Sequence, residues 1–586
     1  MSMYKTRHFF YGSRLYIKYN VNSYSSRLFS RSFQRINHEL EGTLDEKTLN
    51  SEVSSTIFEL SDDSRNVKSR VKELDIANAL IWPRIERHPR TYSIAEFRQK
   101  WNTLTAGESA NELESICVRG KLVSSRIMGA RLVFLDIQQD GRSLQVVINL
   151  GSLKDLSTVS EESFQLLYHL AQRGDYISVT GCPHKTKRGE LSILADSLPK
   201  IITPSLRKLP KILIDKSTKM QNRHVDLLLN RSLQQTIRIR SHILQYLRNF
   251  LLRDNFIEVQ TPLLSDKASG AIARPFLTKS EVISERNLAL RIAPELWLKR
   301  LIIGGFDRVF EIGPSFRNEG FDLTHNPEFT TCEFYKAFTS LEELMEITEN
   351  IFSGMAKTSQ NIRKSFLNDL PEIDSSFLKT PYKRIEFIPT IEAAIGEKLP
   401  DLSADTAEED VIALFSRHNL SLTESPKLLR LLDKLSSLYI EPLCTVPTFI
   451  MHHPECMAPL AKSFLDPKSN QIVSARAEFF VNCIELANMY EEENSPIEQR
   501  RKFEVQARYR DAENNSCVDE SYLSAMEWGL PPTGGWGCGV DRLVMLLTGS
   551  RRISDVLSFG GLKNVVSLGN NMNKKSFVSS YSKKNH

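Results

Sequence analysis

The spacing of hydrophobic and polar positions changes several times along the chain, and each change marks a part. Between Ser115 and Pro199 it is close to two. Ile116–Val123, Leu132–Ile137 and Leu144–Asn149 read as strands, the last two joined across Gln139-Asp140-Gly141. A polar helix over Glu161–Gln172 follows, then strands at Tyr176–Thr180 and Leu191–Leu194 flanking a basic turn at Lys185–Gly189. Five short strands with a helix after the third is the order of an OB-fold barrel, a module that binds single-stranded nucleic acid, although other small barrels share the pattern. Upstream, Val67–Leu80 and Ile94–Leu104 have helical spacing. Downstream, residues 204–222 carry prolines and several Lys/Arg and read as a hinge. Leu227–Asn255 then predicts one long amphipathic helix, and Phe256–Pro262 an extended run stopped by proline. From there to about Val566 strands and helices mix without regular βα alternation, which predicts an α+β fold with an antiparallel sheet.

At 586 residues the chain exceeds what one hydrophobic core organises. Its 41% hydrophobic and 25% charged residues are those of an ordinary globular protein. No apolar run reaches about 18 residues, so no conventional membrane-spanning helix or membrane insertion is expected. The eight cysteines form no C-x-x-C pair, which argues against a disulfide framework or a zinc ribbon. Charge is uneven. Residues 1–38 carry seven Lys/Arg and no acid, and 571–586 carry four Lys and no acid, so the overall +5 becomes −6 for the body between them. The acid-free head, rich in Arg and Ser, has the composition of a mitochondrial targeting presequence, with cleavage expected between Arg31 and Asn37 and delivery to the mitochondrial matrix. A basic arm that binds RNA is the alternative.

No G-x-x-x-x-G-K-[ST] phosphate loop is present, and Gly534–Arg542 breaks the G-x-G-x-x-G pattern at Val540, so a Walker NTPase and a Rossmann dehydrogenase are poor fits. His452-His453 near Cys456 lacks a second ligand pair for a metal. Two segments concentrate chemistry. Phe310–Gly320, continuing through His325 to Phe329, sets an arginine, an acid, a histidine and a ring within one strand–loop–strand. The guanidinium fork suits a phosphate or carboxylate while the ring stacks on a base, but a polar hairpin with a surface ion pair has the same composition. In Gly535–Arg542 glycines allow close approach of a flat ligand, and an arginine heads an apolar helix, where an anion or a π-face would justify it.

Together these segments resemble the three signature motifs of class II aminoacyl-tRNA synthetases. The first matches the helix and strand ending at Pro262, the second Phe316–Phe334 and the third Gly535–Arg542. The longer strings Gly270–Phe276, Arg291–Leu296 and His325–Phe329, with Arg126–Gly129 and Lys185–Ser192 in the barrel, are similar to the lysyl-tRNA synthetases. The likeness covers roughly 113–562. Composition gives a presequence at 1–38, a linker or accessory helical segment at 39–112 and a hinge at 204–222, and the likeness implies an OB-fold anticodon-binding domain at 113–203. A class II catalytic domain at 223–570, built on an antiparallel sheet flanked by helices, and a basic tail at 571–586 complete the chain.

The resemblance also implies an activity and its residues. L-lysine would be activated with ATP and Mg²⁺ and passed to tRNA(Lys) by a homodimer. Arg317 and Arg542 would be catalytic; Glu319, His325 and Phe329 would complete the ATP site with them, and Glu478 and Glu485 would hold the metal. Gly270 and Glu295 would take the α-amino group, Asn488 and Tyr490 would flank the carboxylate held by Arg317, and Glu333, Tyr335 and Glu492 would meet the ε-ammonium. Aspartyl relatives need cations in that pocket and asparaginyl relatives a neutral partner, so paired glutamates argue against both. Phe134, Gln145 and Glu190 would read the central anticodon base. Two positions depart from the family pattern: Glu491-Glu492-Glu493-Asn494-Ser495 stands for Ser-Glu-Leu-Asn-Asp, and Ser269 replaces a glycine. By spacing alone Glu485, Asn488 and Glu492 also fit the wet face of a helix, Phe134 also fits barrel core, and a catalytically inactive synthetase-like RNA-binding or scaffold protein is the competing function.

Overall fold

The computed structural model describes residues 64–85, 88–110, 115–153, 159–266, 273–283, 287–366, 369–508 and 518–570. The expected presequence and basic tail lie outside them. The chain divides into two compact units, the boundary between the described residues falling between Ile214 and Asp215.

In the first unit, helix α1 (Ser64–Ile76), strand β1 (Thr91–Tyr92) and helix α2 (Ile94–Trp101) precede the barrel. Its strands are β2 (Ile116–Ile127), β3 (Leu132–Gln139), β4 (Arg142–Asn149), β5 (Tyr176–Lys185) and β6 (Leu191–Ala195), with helix α3 (Glu161–Leu170) between β4 and β5 and strand β7 (Lys200–Thr203) after β6. Pairing runs β2–β3–β4–β6–β5 and returns to β2, which closes a five-stranded barrel. Strand alternation fills it: Val133, Leu135 and Ile137 of β3 and Leu144, Val146 and Ile148 of β4 are buried together. The preceding segment is more than a tether. Ser93 and Glu96 form a capping box that starts α2, and Phe97 and Trp101 then enter the barrel core.

The second unit opens with three helices, α4 (Lys216–Gln221), α5 (Arg223–Leu229) and α6 (Arg231–Arg253). The single helix expected over Leu227–Asn255 is therefore split at Asn230. Asn230 leaves the helical region and its side chain accepts a hydrogen bond from the Leu233 N–H, capping α6. The extended run expected at Phe256–Pro262 shortens to strand β8 (Ile257–Glu258). Then come β9 (Leu264–Ser265), β10 (Leu277–Lys279), β11 (Asn287–Leu290), α7 (Glu295–Ile303), β12 (Arg308–Phe316), β13 (Glu328–Ala337) and α8 (Leu341–Phe366). The chain continues through β14 (Lys383–Glu386), α9 (Phe387–Ile395), α10 (Ala407–Arg417), α11 (Leu428–Tyr439), β15 (Thr448–Met451), β16 (Ser463–Asp466) and β17 (Gln471–Ser474). It closes with β18 (Arg476–Val481), β19 (Ile484–Glu491), α12 (Pro496–Arg508), α13 (Glu520–Met526), β20 (Thr533–Gly539), α14 (Val540–Thr548), α15 (Ile553–Val556) and α16 (Leu562–Asn570).

Eight strands form one sheet in the order β14-β15-β18-β19-β20-β13-β12-β8, antiparallel everywhere except at its two edge pairs. One face is packed by α6 and α8. Ile239, Ile243, Leu247 and Leu251, four residues apart on α6, meet Phe334, Phe479, Met489 and Trp536 from the strands. The rings of Phe334 and Trp536 stack at 5.0 Å, and the indole N–H donates to the Thr348 hydroxyl at 3.0 Å. The opposite face carries the polar side chains described next.

Because Phe97 is fully buried in the barrel core, Phe97→Ala should destabilise the first unit by about 3–5 kcal/mol. Urea denaturation followed by barrel fluorescence or proteolysis checks this. A loss below about 1 kcal/mol would make the α2 segment an appendage.

Candidate active site

Register across the sheet sets the site. Glu333 of β13 lies opposite Gly537 of β20, which lies opposite Asn488 of β19, which lies opposite Glu478 of β18. One row along run Tyr335, Gly535, Tyr490 and Arg476. The alternative of a wet helix face for Glu485, Asn488 and Glu492 is thereby replaced: Glu485 and Asn488 are on a strand, and Glu492 follows its end. Strand β20 alternates Trp536 and Cys538 on the core face with glycines on this one, so the middle of the sheet has no side chains above it. A Cβ at Gly535 would overlap the Glu492 carboxylate and the Tyr335 ring; only glycine fits. Above this floor is a cavity of about 1280 Å³, lined by Glu295, Arg317, Glu319, His325, Phe329, Glu333, Tyr335, Glu485, Asn488, Tyr490 and Arg542 among others.

The closed end of the cavity is acidic. Glu295, first residue of α7, accepts hydrogen bonds from the Tyr490 hydroxyl at 2.9 Å and from Lys299 Nζ at 2.7 Å. Among the described residues no donor pairs with the Glu333 carboxylate, which is only 8% exposed. Burial, reinforced by the charge of Glu295 and opposed by Arg317 and Arg291, pushes its carboxyl up to about 8. Glu492 lies behind the lining, 1% exposed, in an ion pair with Lys299. Asn488 presents Oδ1 to Arg476 Nε at 3.0 Å.

The open end holds the cations. Arg317 follows the last residue of β12; its guanidinium lies 5.2 Å from the Phe329 ring, and its Nε is buried without a partner. Arg542 sits in the first turn of α14, donating to the Glu485 carbonyl at 3.1 Å and to His325 Nε2 at 2.7 Å. His325 Nδ1 in turn meets Asp322 at 2.8 Å. Two hydrogen bonds therefore fix one tautomer of His325, with the proton on Nδ1. Burial would raise Asp322, but hydrogen bonds from the Thr324 and His325 backbone and from the His325 ring hold it down at about 2. Asp541 anchors the start of α14, accepting from Arg240 at 2.5 Å and from the Thr330 N–H at 2.7 Å.

Glu485 reaches the site through an irregularity. Phe479 pairs with Ala487, but Phe480 pairs with Glu485, so Leu486 is an extra residue and turns into the core. Without this bulge strand alternation would give Glu485 the core face. Glu485 is raised by burial and by the nearby charge of Glu478. Glu478, one strand over, accepts from Arg476 at 2.5 Å and from His453 Nε2 at 3.2 Å. Burial opposes its ionisation, yet those two partners keep it below the usual carboxylate range.

Of the expected site residues, Gly270 lies outside the described residues, and Glu478 and Glu492 are not among those that line the cavity. The others in this unit line one cavity. Lys299, Arg476, Asp322 and Asp541 were not anticipated. A lysine amid apolar Leu296, Leu298 and Ile302 was the available signal for Lys299; the others had none. The residues expected to read the anticodon sit in the first unit. Phe134 is half-buried on the outer face of β3, away from Val133 and Leu135, so it is not barrel core. Gln145 accepts from the Ser192 hydroxyl at 3.0 Å on the adjoining strands, and Glu190 is exposed two residues before Ser192.

Residues 215–563 match the family model described as tRNA synthetases class II (D, K and N). The mitochondrial lysine–tRNA ligase of Schizosaccharomyces pombe is 37% identical over 85% of this chain and 94% of its own length. That of Saccharomyces cerevisiae is 34% identical over 81% and 86%. A probable cytoplasmic lysine–tRNA ligase of Encephalitozoon cuniculi is 38% identical over 76% and 86%.

The buried acid at 333 should show in stability. A carboxyl raised by folding from its ordinary 4.5 to about 8 contributes stability that is complete below pH 4.5 and lost as pH rises through 8. Glu333→Gln does not titrate. Its unfolding free energy, followed through denaturant midpoints or melting temperatures, should therefore gain on that of wild type between pH 5 and 8, by an amount on the order of 2–4 kcal/mol, and level off above. A difference that stays constant with pH would show that Glu333 is ionised in the empty cavity.

Proposed function

The chain belongs to the class II tRNA synthetases, and from that premise we propose that it is a lysine–tRNA ligase that activates L-lysine with ATP and transfers it to tRNA(Lys). The acidic closed end supports lysine. Glu295 and Glu333, with the hydroxyls of Tyr335 and Tyr490, are hydrogen-bond acceptors suited to ammonium groups, whereas an aspartyl substrate would meet like charge there. Lysine would lie across the glycine floor with its α-amino group at Glu295, its carboxylate between Arg317 and Asn488, and its ε-ammonium at Glu333 and Tyr335, with Glu492 behind.

The attacking group is the substrate's own carboxylate, already ionised at neutral pH, so activation needs no general base. It adds in line at the α-phosphorus of ATP and displaces pyrophosphate. Catalysis is then positioning and charge neutralisation by Arg317 and Arg542, which both line the cavity, with Phe329 available to stack on adenine. Glu319 and His325 complete the nucleotide site. Glu478 and Glu485 are hard oxygen donors whose mutual repulsion a cation would relieve, which fits Mg²⁺ bound jointly with phosphates. Bound there, the ion would supply neutralisation of phosphate charge. A terminal ribose hydroxyl of tRNA then takes the lysyl group. The outer face of the barrel, with Phe134 for stacking and Gln145 and Glu190 for a base edge, would select the anticodon. A homodimer is the assembly that the resemblance implies. The acid-free head and the mitochondrial relatives favour work in the mitochondrial matrix.

Lysine-dependent ATP–pyrophosphate exchange tests the activity; a folded, Mg²⁺-supplied protein without exchange would be the inactive RNA-binding relative. Glu333→Gln should raise the lysine KM about ten- to a hundredfold, the loss of about 1.5–3 kcal/mol from one charge-assisted hydrogen bond, with the ATP KM little changed. Since Glu333 holds a proton below about pH 8 in the empty cavity, lysine binding should release nearly one proton at pH 7 and tighten as pH approaches 8. Calorimetry in buffers of different ionisation enthalpy reads this directly, and proton-neutral binding would refute it. Phe134→Ala should cost about 1–3 kcal/mol in tRNA recognition and leave exchange intact. A parallel fall in both would make its role structural.

A further inference from the structure

One buried charge is not used by this mechanism. Lys299 of α7 is 0% exposed, on a helix that also buries Leu296, Leu298 and Ile302. Its ammonium donates to Glu295 at 2.7 Å, one helical turn back, and forms an ion pair with Glu492. The rings of Tyr335, Tyr490 and Tyr522 surround it, their centroids 5.9, 5.8 and 5.9 Å away. Glu295 has a second donor in Tyr490. Glu492 has none: apart from the ion pair, neither of its oxygens meets a hydrogen-bond donor. Among the described residues Lys299 is therefore the sole compensation for a carboxylate at the back of the amino-acid pocket.

We propose that Lys299 is a specificity-determining positioning residue that fixes and neutralises Glu492, so that the pocket presents an amino acid with the charge of two carboxylates instead of three. Resting on the lysine reading above, this makes the charge match a count. Once Glu333 has released its proton to bind lysine, Glu295, Glu333 and Glu492 less Lys299 carry two negative charges, and lysine brings two ammonium groups, its carboxylate being met by Arg317. An amino acid with one ammonium leaves Glu333 protonated and unpaired, so it forgoes the second charge pairing that lysine makes, which disfavours it without any steric exclusion. The contact also fixes geometry. With one Glu492 oxygen on Lys299, the other is directed over Gly535, where the floor has no side chain.

The test is a double-mutant cycle on the full chain with Lys299→Met, Glu492→Gln and the pair combined, read by lysine-dependent pyrophosphate exchange. Lysine KM, ATP KM, kcat and melting temperature are measured for each. Lys299→Met should raise the lysine KM at least tenfold while the ATP KM stays within about twofold, because the residue acts on the amino-acid pocket alone. In the Glu492→Gln background the same change should bring no further rise in lysine KM. A wild-type lysine KM in Lys299→Met, or the same fold loss in both backgrounds, overturns the proposal. If the single variant fails to fold with its stranded carboxylate, Glu492→Gln against the combined variant decides alone: equal lysine KM supports it, a further tenfold rise overturns it. A wild-type chain without lysine-dependent exchange would instead defeat the ligase reading, leaving Lys299 distinguishable from it.

Discussion

The site depends on a strand that has lost the side chains from one of its faces. A sheet in the middle of a domain needs one face fully packed, and β20 supplies Trp536 and Cys538 to that packing while its other face offers only glycines. Glycine in a strand interior weakens it, by backbone entropy and by absent contacts. Here β20 lies between β13 and β19, hydrogen-bonded on both sides, and the stacked Phe334–Trp536 pair holds it from below. Those contacts allow the opposite face to stay bare. The floor is consequently flat, and Glu333, Tyr335, Asn488 and Tyr490 on the flanking strands look across it at each other.

Around that floor the dominant energetic problem is buried negative charge. Ionised carboxylates in a low-dielectric enclosure are costly unless paired, and the structure handles each one differently. Glu311 meets Arg291 at 2.5 Å and the Thr261 hydroxyl, a closed pair that ties β12 to the segment entering α7. Glu478 is held ionised by Arg476 and His453. Glu492 depends on Lys299. Among the described residues Glu333 has neither a donor nor an ion-pair partner, and it takes the remaining option, a raised affinity for a proton. This unpaired acid faces the cavity, as expected where stability is traded for ligand binding.

How much of this could be read from the sequence follows from which signals are local. Barrel strands were legible because period-two alternation is a local consequence of burying one face, and the closed ring followed from their order with the helix. The break at Asn230 was missed because the apolar spacing of α5 continues into α6, and helical periodicity outweighs a single capping residue when only the pattern is visible. The packing of α2 into the barrel was missed for another reason: Phe97 and Trp101 mark an apolar face but do not say what covers it. In the site, the residue types were legible from motif strings, but their functional face was not. Glu485 and Leu486 are adjacent, and only the bulge opposite Phe480 decides that the acid points to the ligand side. A one-residue irregularity in pairing leaves no mark in composition or period. Likewise Lys299 and Glu492 are nearly two hundred positions apart, and nothing in either neighbourhood names the other.

The placement of acids and arginines also follows a rule of rigidity. Glu333, Asn488 and Tyr490, which would discriminate one amino acid from another, are mid-strand residues paired on both sides. Arg317 and Arg542, which would meet the phosphates common to every reaction of this class, stand where regular structure ends or begins, just after β12 and in the first turn of α14. Strand interiors fix a side chain far more tightly than loop ends, and discrimination between small ligands is lost when contacts are loose by about an ångström. Phosphate groups are larger, carry several equivalent oxygens and tolerate more variation in approach, so a guanidinium on a chain reversal can serve them. A cation in the first turn of a helix would ordinarily oppose the helix dipole. Asp541, beside Arg542 and clamped to Arg240 and the Thr330 N–H, supplies the negative charge that the dipole favours there. It lets α14 present an arginine at the end of the helix where an anion would also be drawn by the backbone, so two sources of positive potential converge on one place.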